Sequence, residues 1–208
     1  MKGKFITIEG MEGAGKSTVV SFIKKQLEAS AKNVVWTREP GGTPLAEHIR
    51  ELVLHPTIDE KIYADTELLL LFAARAQHMQ ACILPALAAG KWVVSDRFVD
   101  ASYAYQGAGR GVDIEHIKQL DRWIVGDHYP DLTLLLDISP EQGFIRTQKR
   151  GEEKDRIEQE ALDFFARVRN AYLLRAEQDP QRIKMIDASL SLFEVEDQIR
   201  SVLGEFLK

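Results

Sequence analysis

Five short runs of aliphatic and β-branched residues recur along the chain, at 5–9, 34–37, 92–96, 132–137 and 183–187, separated by longer segments of helical period. The run Leu132-Thr133-Leu134-Leu135-Leu136 is almost continuously apolar instead of alternating. Strands of that kind are covered on both faces, and the helices between them serve as crossovers. The pattern therefore predicts an α/β fold, a five-stranded parallel sheet with helices on both faces.

The intervening segments carry helix signals. Ser139-Pro140-Glu141-Gln142 puts a capping serine before a first-turn proline, and Ser191 with Glu194 has the spacing of a capping box. Leu162, Phe165, Val168, Tyr172 and Ala176 form an apolar stripe on the penultimate helix. Glycine-rich stretches near Gly41, Gly107 and Gly151 read as loops. With no repeat, low-complexity tract or linker, the 208 residues are read as a single domain, 1–208.

Composition narrows the function classes. An apolar fraction of 45% with 28% charged residues is that of a globular protein and leaves little room for a disordered or fibrous chain. Twenty-seven basic against thirty-two acidic residues give a net charge of −5, which argues against a broad nucleic-acid-binding face but not against a small cationic pocket. The single cysteine, Cys82, cannot form an intrachain disulfide, and no Cys/His spacing suggests zinc. The apolar stretch 68–74 is stopped by Arg75, short of the ~20 residues a bilayer needs, and no signal-peptide core is evident. A cytoplasmic protein with no membrane and no nucleic-acid partner is expected.

The strongest chemical signal follows the first run. Gly10-Met11-Glu12-Gly13-Ala14-Gly15-Lys16-Ser17 matches G-x-x-x-x-G-K-[ST] between a predicted strand and a predicted helix, with Thr18 continuing it. Its glycines let backbone N–H groups turn toward phosphate oxygens, Lys16 can reach the transferred phosphoryl, and the Ser17 hydroxyl suits Mg²⁺. A guanine-reading Asn/Thr-Lys-x-Asp motif and a transporter-type Ser-Gly-Gly signature are both missing.

Arginines at loops and helix ends, namely Arg38, Arg75, Arg97, Arg146, Arg150 and Arg156, suit a second anionic substrate, because a guanidinium grips phosphate through two donors. Asp96-Arg97 closes the third run, where ligands gather in open α/β sheets. Asp96 could face a metal, and Asp137, closing the fourth run, is an equal candidate. Phe72 and Arg75 are three apart on a predicted helix and share a face, a pairing able to stack on a base and bond its edge. The charged segment 146–157 reads either as a lid that brings an arginine over the phosphates or as a solvated charge run.

Together these residues resemble the bacterial thymidylate kinases. The similarity covers essentially the whole chain: Ile8-Glu9-Gly10 with the P-loop, Thr37-Arg38-Glu39-Pro40-Gly41-Gly42-Thr43, Phe72-Ala73-Ala74-Arg75, Asp96-Arg97, Ala104-Tyr105-Gln106-Gly107, Pro130-Asp131-Leu132-Thr133 with Leu136-Asp137, and Asp155-Arg156-Ile157-Glu158.

The resemblance implies a P-loop nucleoside monophosphate kinase fold, usually a homodimer, that uses ATP and Mg²⁺ to convert dTMP to dTDP. It implies that Phe72 stacks on thymine, Arg75 meets its carbonyl edge, and Ser102 and Gln106 lie beside it. Arg38 and Arg97 would hold the dTMP phosphate, Glu12 would accept the 3′-hydroxyl and Tyr105 would crowd the 2′ position. Glu39-Pro40 would be cis, and Ser17 with Asp96 would face the metal.

Members of the family carry a catalytic arginine in the P-loop or in the lid. With no arginine in this P-loop, the resemblance implies Arg150, before Gly151, supported by Arg146 and Arg156. Gln148 departs from relatives with a further arginine there, and Ser102 replaces a more usual threonine. Rival expectations are a kinase for another (deoxy)nucleoside monophosphate and a non-catalytic P-loop nucleotide-binding regulator.

Overall fold

The structure, a computed structural model, describes residues 3–30, 32–57, 59–150 and 155–207, the side chain of Arg150 excepted. Its strands are β1 (Phe5–Glu9), β2 (Val34–Arg38), β3 (Trp92–Asp96), β4 (Leu132–Asp137) and β5 (Ile183–Asp187). The helices of the first half are α1 (Lys16–Ala29), α2 (Pro44–Leu54), α3 (Ala64–His78), α4 (Leu84–Ala88) and α5 (Val99–Ser102). Those of the second half are α6 (Ile114–Ile124), α7 (Pro140–Arg150), α8 (Leu162–Gln178) and α9 (Leu192–Phe206).

Among the described residues the strands form one sheet in the order β2-β3-β1-β4-β5, every neighbouring pair parallel. β1 is central and buried along its length, whereas β2 and β5 are the half-exposed edges. Side chains alternate between two cores. Ile6, Ile8, Val94 and Leu134 face Ile23 of α1, Val168 of α8 and Ile199 of α9. Phe5 and Val93 face Leu68 of α3, Met79, Ile83 and Ile117 of α6. The register pairs Ile8 with Asp96 and Asp96 with Arg38, so the carboxyl ends of β1, β3 and β2 lie side by side. Strands then continue on the other side of β1, which makes this end the switch point where such sheets bind ligands.

The capping signals are realised. Ser191 and Glu194 close a reciprocal capping box, and Ser139 Oγ accepts from the Gln142 N–H. Three expectations are amended. Leu162 is exposed, and the apolar face of α8 instead begins at Phe164 and Phe165, because the helix starts only at Leu162. Gly107 lies not in a loop but in a π-helical stretch, Tyr103–Gly109, that continues α5. Gly151 lies outside the described residues.

The third amendment concerns the apolar stretch at 68–74. A second π-helical segment, Met79–Ile83, joins α3 to α4, and the continuous run Ala64–Ala88 is long and apolar enough to cross a membrane by length and composition. Arg75 therefore does not end it. The run carries buried Glu67, Arg75 and His78, all bonded to side chains on other elements, as in a core helix.

Candidate active site

The sequence after β1 turns sharply into α1. Gly13 has φ 76°, and a Cβ there would lie 2.2 Å from the Gly143 carbonyl oxygen of α7, so only glycine lets α7 approach the loop this closely. Gly13, Gly15, Lys16, Ser17 and Thr18 line one cavity, into which the unsatisfied N–H groups of a helix N-terminus can point. Lys16 Nζ folds back onto the Gly10 and Met11 carbonyls at 3.0 and 3.2 Å. Burial holds the Lys16 ammonium below its ordinary range, and Arg97 adds to that, against Asp96, Glu12 and Glu9. Of the remaining P-loop positions, Met11 and Ala14 are buried in the core beneath the loop.

Arg97, directly after β3, is the one described non-glycine residue with positive φ, 70°. Such a conformation costs roughly 1–2 kcal/mol and persists only where the surroundings enforce it. Here the Arg97 N–H donates to Ile8 O at 2.9 Å, Ser95 Oγ donates to Arg97 O at 2.7 Å, and the next N–H, of Phe98, donates to Glu9 Oε1 at 2.7 Å. The side chain is thereby aimed across the P-loop. Its Nη2 donates to Glu12 Oε1 at 2.6 Å and its guanidinium sits 4.7 Å from the centre of the Tyr105 ring, whose hydroxyl donates to Glu12 Oε2 at 2.7 Å. Burial pushes the Glu12 carboxyl up, but Arg97 and Lys16 outweigh it and leave the group below the usual carboxylate range.

Glu9 lies at the carboxyl end of β1 and has no role that local sequence pattern suggests. Fully buried, it accepts from Phe98 N–H and from the Tyr172 hydroxyl at 2.7 Å. Burial and the charge of Asp100 push its pKa from 4.5 up to about 8, against the hydrogen bonds and Arg97. Between those values the folded state holds a proton that the unfolded chain has released, so this group's contribution to stability falls as pH rises and levels above the folded pKa. In nucleotide-free melting experiments from pH ~5 to ~9, wild type should lose about 5 °C or more relative to Glu9→Gln, which mimics the protonated acid. Parallel melting curves for the two proteins would refute the buried-acid assignment.

A second cavity opens beside the first, and the two share Glu12, Glu39, Arg50, Arg97 and Asp155. Of the positions expected to meet the monophosphate, Glu12, Arg75, Arg97, Ser102, Tyr105 and Gln106 line it together. Ser102 ends α5, and Tyr105 and Gln106 follow it by three and four residues in the π-helical stretch, about one turn on, so the three share one wall. Arg75 is buried, its guanidinium 4.6 Å above the Phe72 ring and bonded to Glu39 and Ser102 at 2.8 and 3.0 Å. Phe72 itself is only 2% exposed and belongs to the core; Leu71 and Phe98 supply apolar wall. Arg38 lines the P-loop cavity along with Arg97 and Glu12, and is itself bonded to Glu47 at 2.8 Å. Arg50, which a lone basic position on α2 did not betray, lines both cavities with Nη1 bonded to Pro40 O at 2.9 Å. The Glu39-Pro40 peptide is cis.

Of the lid positions, Arg146 lines the P-loop cavity and donates to the Ala188 carbonyl at 2.9 Å, with Thr147 beside it. Arg156 lines neither cavity and is held by Glu67 and by the Val53 carbonyl, 2.9 Å from Nε; Glu67 also accepts from Gln106 of the second cavity at 2.7 Å. The Arg150 side chain and residues 151–154 lie outside the described residues.

Asp96, not Asp137, faces the P-loop cavity. Asp137 is taken by a bidentate pair with Arg169 at 2.7 and 2.9 Å, while Asp96 Oδ1 is buried with no hydrogen-bond partner among the described residues. A carboxylate with an orphan oxygen that lines the same cavity as Ser17 fits a hard cation. No cluster of three or more His, Cys, Asp or Glu that could hold a metal ion occurs among the described residues.

A family model described as thymidylate kinase matches residues 8–199. A curated thymidylate kinase of Ruthia magnifica subsp. Calyptogena magnifica is 56% identical over 97% of this chain and 98% of its own length. That of Ectopseudomonas mendocina (strain ymp) is 54% identical over 100% and 98%. Among solved structures, a thymidylate kinase from Ehrlichia chaffeensis superposes with a TM-score of 0.79 at 32% identity, covering 98% of this chain and 99% of that one.

Proposed function

Since the chain belongs to the thymidylate kinase family, an enzyme family that phosphorylates dTMP from a nucleotide donor, we propose that this protein transfers the γ-phosphoryl of ATP, with Mg²⁺, to dTMP. The observation that carries the reading is the pair of adjoining cavities. Lys16 stands in one, the Arg75-Ser102-Gln106 wall in the other, and Arg97 with Glu12 in both. The P-loop cavity takes the ATP phosphates and the second cavity takes dTMP, so that the two phosphates meet at Arg97.

The attacking group is an oxygen of the dTMP phosphate, already largely ionised near neutral pH, so no protein nucleophile or base is needed. The γ-phosphoryl leaves the ADP oxygen and bonds to the dTMP phosphate, giving ADP and dTDP. What the residues contribute is positioning and charge. Backbone N–H groups of the P-loop and Lys16 hold the donor phosphates, and Arg97, with Arg38 at the rim, holds the acceptor phosphate. Arg75, Ser102 and Gln106 line the base end above the Arg75-Phe72 stack. Glu12 accepts the sugar 3′-hydroxyl while Tyr105 crowds the 2′ position. Mg²⁺, held by Ser17 and Asp96, supplies neutralisation of phosphate charge.

The segment 146–157 acts as a lid, with Arg150 as its catalytic arginine and Arg146 beside the donor nucleotide. Arg156 acts as a buttress of the acceptor wall through Glu67. Homodimer formation is supported by exposed apolar residues on the neighbouring helices α2, α3 and α6, namely Leu45, Leu52, Leu69 and Trp123. A cytoplasmic location fits nucleotide substrates and a single cysteine.

A coupled assay of ADP formation with dTMP, dUMP, the ribose form of TMP and no acceptor tests the reading. Fast ADP formation is expected with dTMP alone and is abolished by chelating Mg²⁺. ADP formation independent of acceptor, or faster turnover of another monophosphate, would overturn it.

A further inference from the structure

Behind the base end of the second cavity lies a buried polar relay to which the phosphoryl-transfer scheme gives no role. α3 carries Arg75 and His78 three residues apart, hence on one face, and Glu39 sits between them. Arg75 Nε donates to Glu39 Oε2 at 2.8 Å, and His78 Nδ1 lies 3.0 Å from Glu39 Oε1. His78 Nε2 in turn meets Thr37 Oγ1 of β2 at 2.6 Å. His78 is 0% exposed and has both ring nitrogens engaged.

The relay also touches the backbone of the loop that follows β2. Gly42 has φ 82°, and a Cβ there would fall 2.4 Å from Thr37 Oγ1 and 2.5 Å from His78 Nε2. The loop carrying Glu39 is thus packed directly on the Thr37-His78 pair. As a carboxylate Glu39 only accepts, so His78 donates to it through Nδ1–H, and His78 Nε2 accepts the hydrogen bond that the Thr37 hydroxyl donates.

These contacts decide which donors Arg75 has left. Of its five N–H groups, Nε is committed to Glu39, one on Nη1 to Ser102 at 3.0 Å and one on Nη2 to the Phe98 carbonyl at 3.2 Å. One N–H on each terminal nitrogen remains, a pair suited to a carbonyl-bearing base edge. Without His78, Glu39 Oε1 loses its partner inside the protein, and a buried carboxylate in that condition rotates or draws in water. Either response loosens the Nε contact that sets the plane of the guanidinium.

We propose that His78 is a positioning residue for base recognition, holding Glu39, and through it Arg75, in the orientation that receives the pyrimidine. The proposal rests on the reading of the second cavity as the dTMP site. It places a specificity determinant on a residue that touches no substrate.

The test is steady-state kinetics on the intact enzyme. His78→Leu should raise KM for dTMP about ten-fold while kcat and KM for ATP stay near wild type, and His78→Asn, which keeps a donor at the Nδ1 position, should recover most of the loss. A His78→Leu protein with a lower melting temperature and unchanged KM for dTMP would reduce the residue to core packing and overturn the proposal, as would equal KM values for the Leu and Asn variants. Should the Leu variant not fold, His78→Gln, which keeps a partner for Thr37 but not for Glu39, must show the higher KM than His78→Asn. Arg75→Ala separates the two layers. If it leaves KM for dTMP unchanged, the base-site reading fails and the proposal with it. If it raises KM while His78→Leu does not, the proposal alone fails.

Discussion

Lys16→Ala should lower kcat about 10³-fold while dTMP affinity, titrated calorimetrically without ATP, stays near wild type, because a donor aimed at developing charge is lost. The Lys16 ammonium donates to the Gly10 and Met11 carbonyls. Bringing it to a phosphate exchanges neutral acceptors for an anionic one, roughly doubling the strength of each hydrogen bond, and the gain grows as charge spreads over the equatorial oxygens. Truncation takes the Lys16 donor from the buried Gly10 carbonyl, while the Met11 carbonyl keeps the Ala14 N–H, so the melting temperature should fall by a few degrees at most. An equal loss of dTMP affinity and of kcat would show Lys16 serving the acceptor instead of the transferring group.

The strands were legible in the sequence because the signal was a length of apolar chain bounded by turns. All five runs become strands, and β2 differs from its expected span by one residue, Arg38. The P-loop was legible because a Lys-Ser pair at one register after a strand has little other use. What the sequence could not carry was anything that depends on helix pitch. Gly107 read as a loop because the glycine-rich stretch Gly107, Gly109, Gly111 looks like a turn, yet a π-helical segment extends α5 there and places Tyr105 and Gln106 together on the cavity wall. The same limit hid Glu9, His78 and Arg50. Each is an isolated residue whose meaning comes from partners such as Tyr172, Thr37 and Pro40, and no local pattern announces a pairing over 163 positions.

The net charge of −5 also looks different once the fold brings particular residues together. Lys16, Arg38, Arg50, Arg97 and Arg146 all border the P-loop cavity. So do Glu12, Glu39, Asp96, Asp155 and Glu158. Burying cations without partners is costly, and Glu12 on Arg97 shows how that cost is offset. Incoming phosphates would then compete with resident carboxylates for the same donors, so the site is cationic by arrangement and not by excess. Asp96 stands out by a buried oxygen with no hydrogen-bond partner among the described residues, which is where a cation can be accommodated.

Arg150→Ala is the sharper test of the lid, with an expected loss of kcat on the order of 10³-fold or more and little change in KM for dTMP, the scale set by arginines supplied to a transferring phosphoryl group. Neighbouring arginines already have other bonds in the structure. Arg146 is turned to the Ala188 carbonyl after β5, and Arg156 is held on the acceptor side by Glu67 and Val53. Position 150 follows Arg146 by four residues and Thr147 by three on α7, which puts the three positions on one face of that helix, and 146 and 147 border the P-loop cavity. If Arg150 supplies transition-state charge, Arg150→Lys should recover only part of the loss, since a point charge cannot donate in the planar two-pronged geometry. Arg156→Ala should instead act mainly on KM for dTMP, because its removal frees Glu67 beside Gln106 and not the donor phosphates. Near-full turnover by Arg150→Ala, or a kcat loss in Arg156→Ala as large as that in Arg150→Ala, would move the catalytic arginine elsewhere.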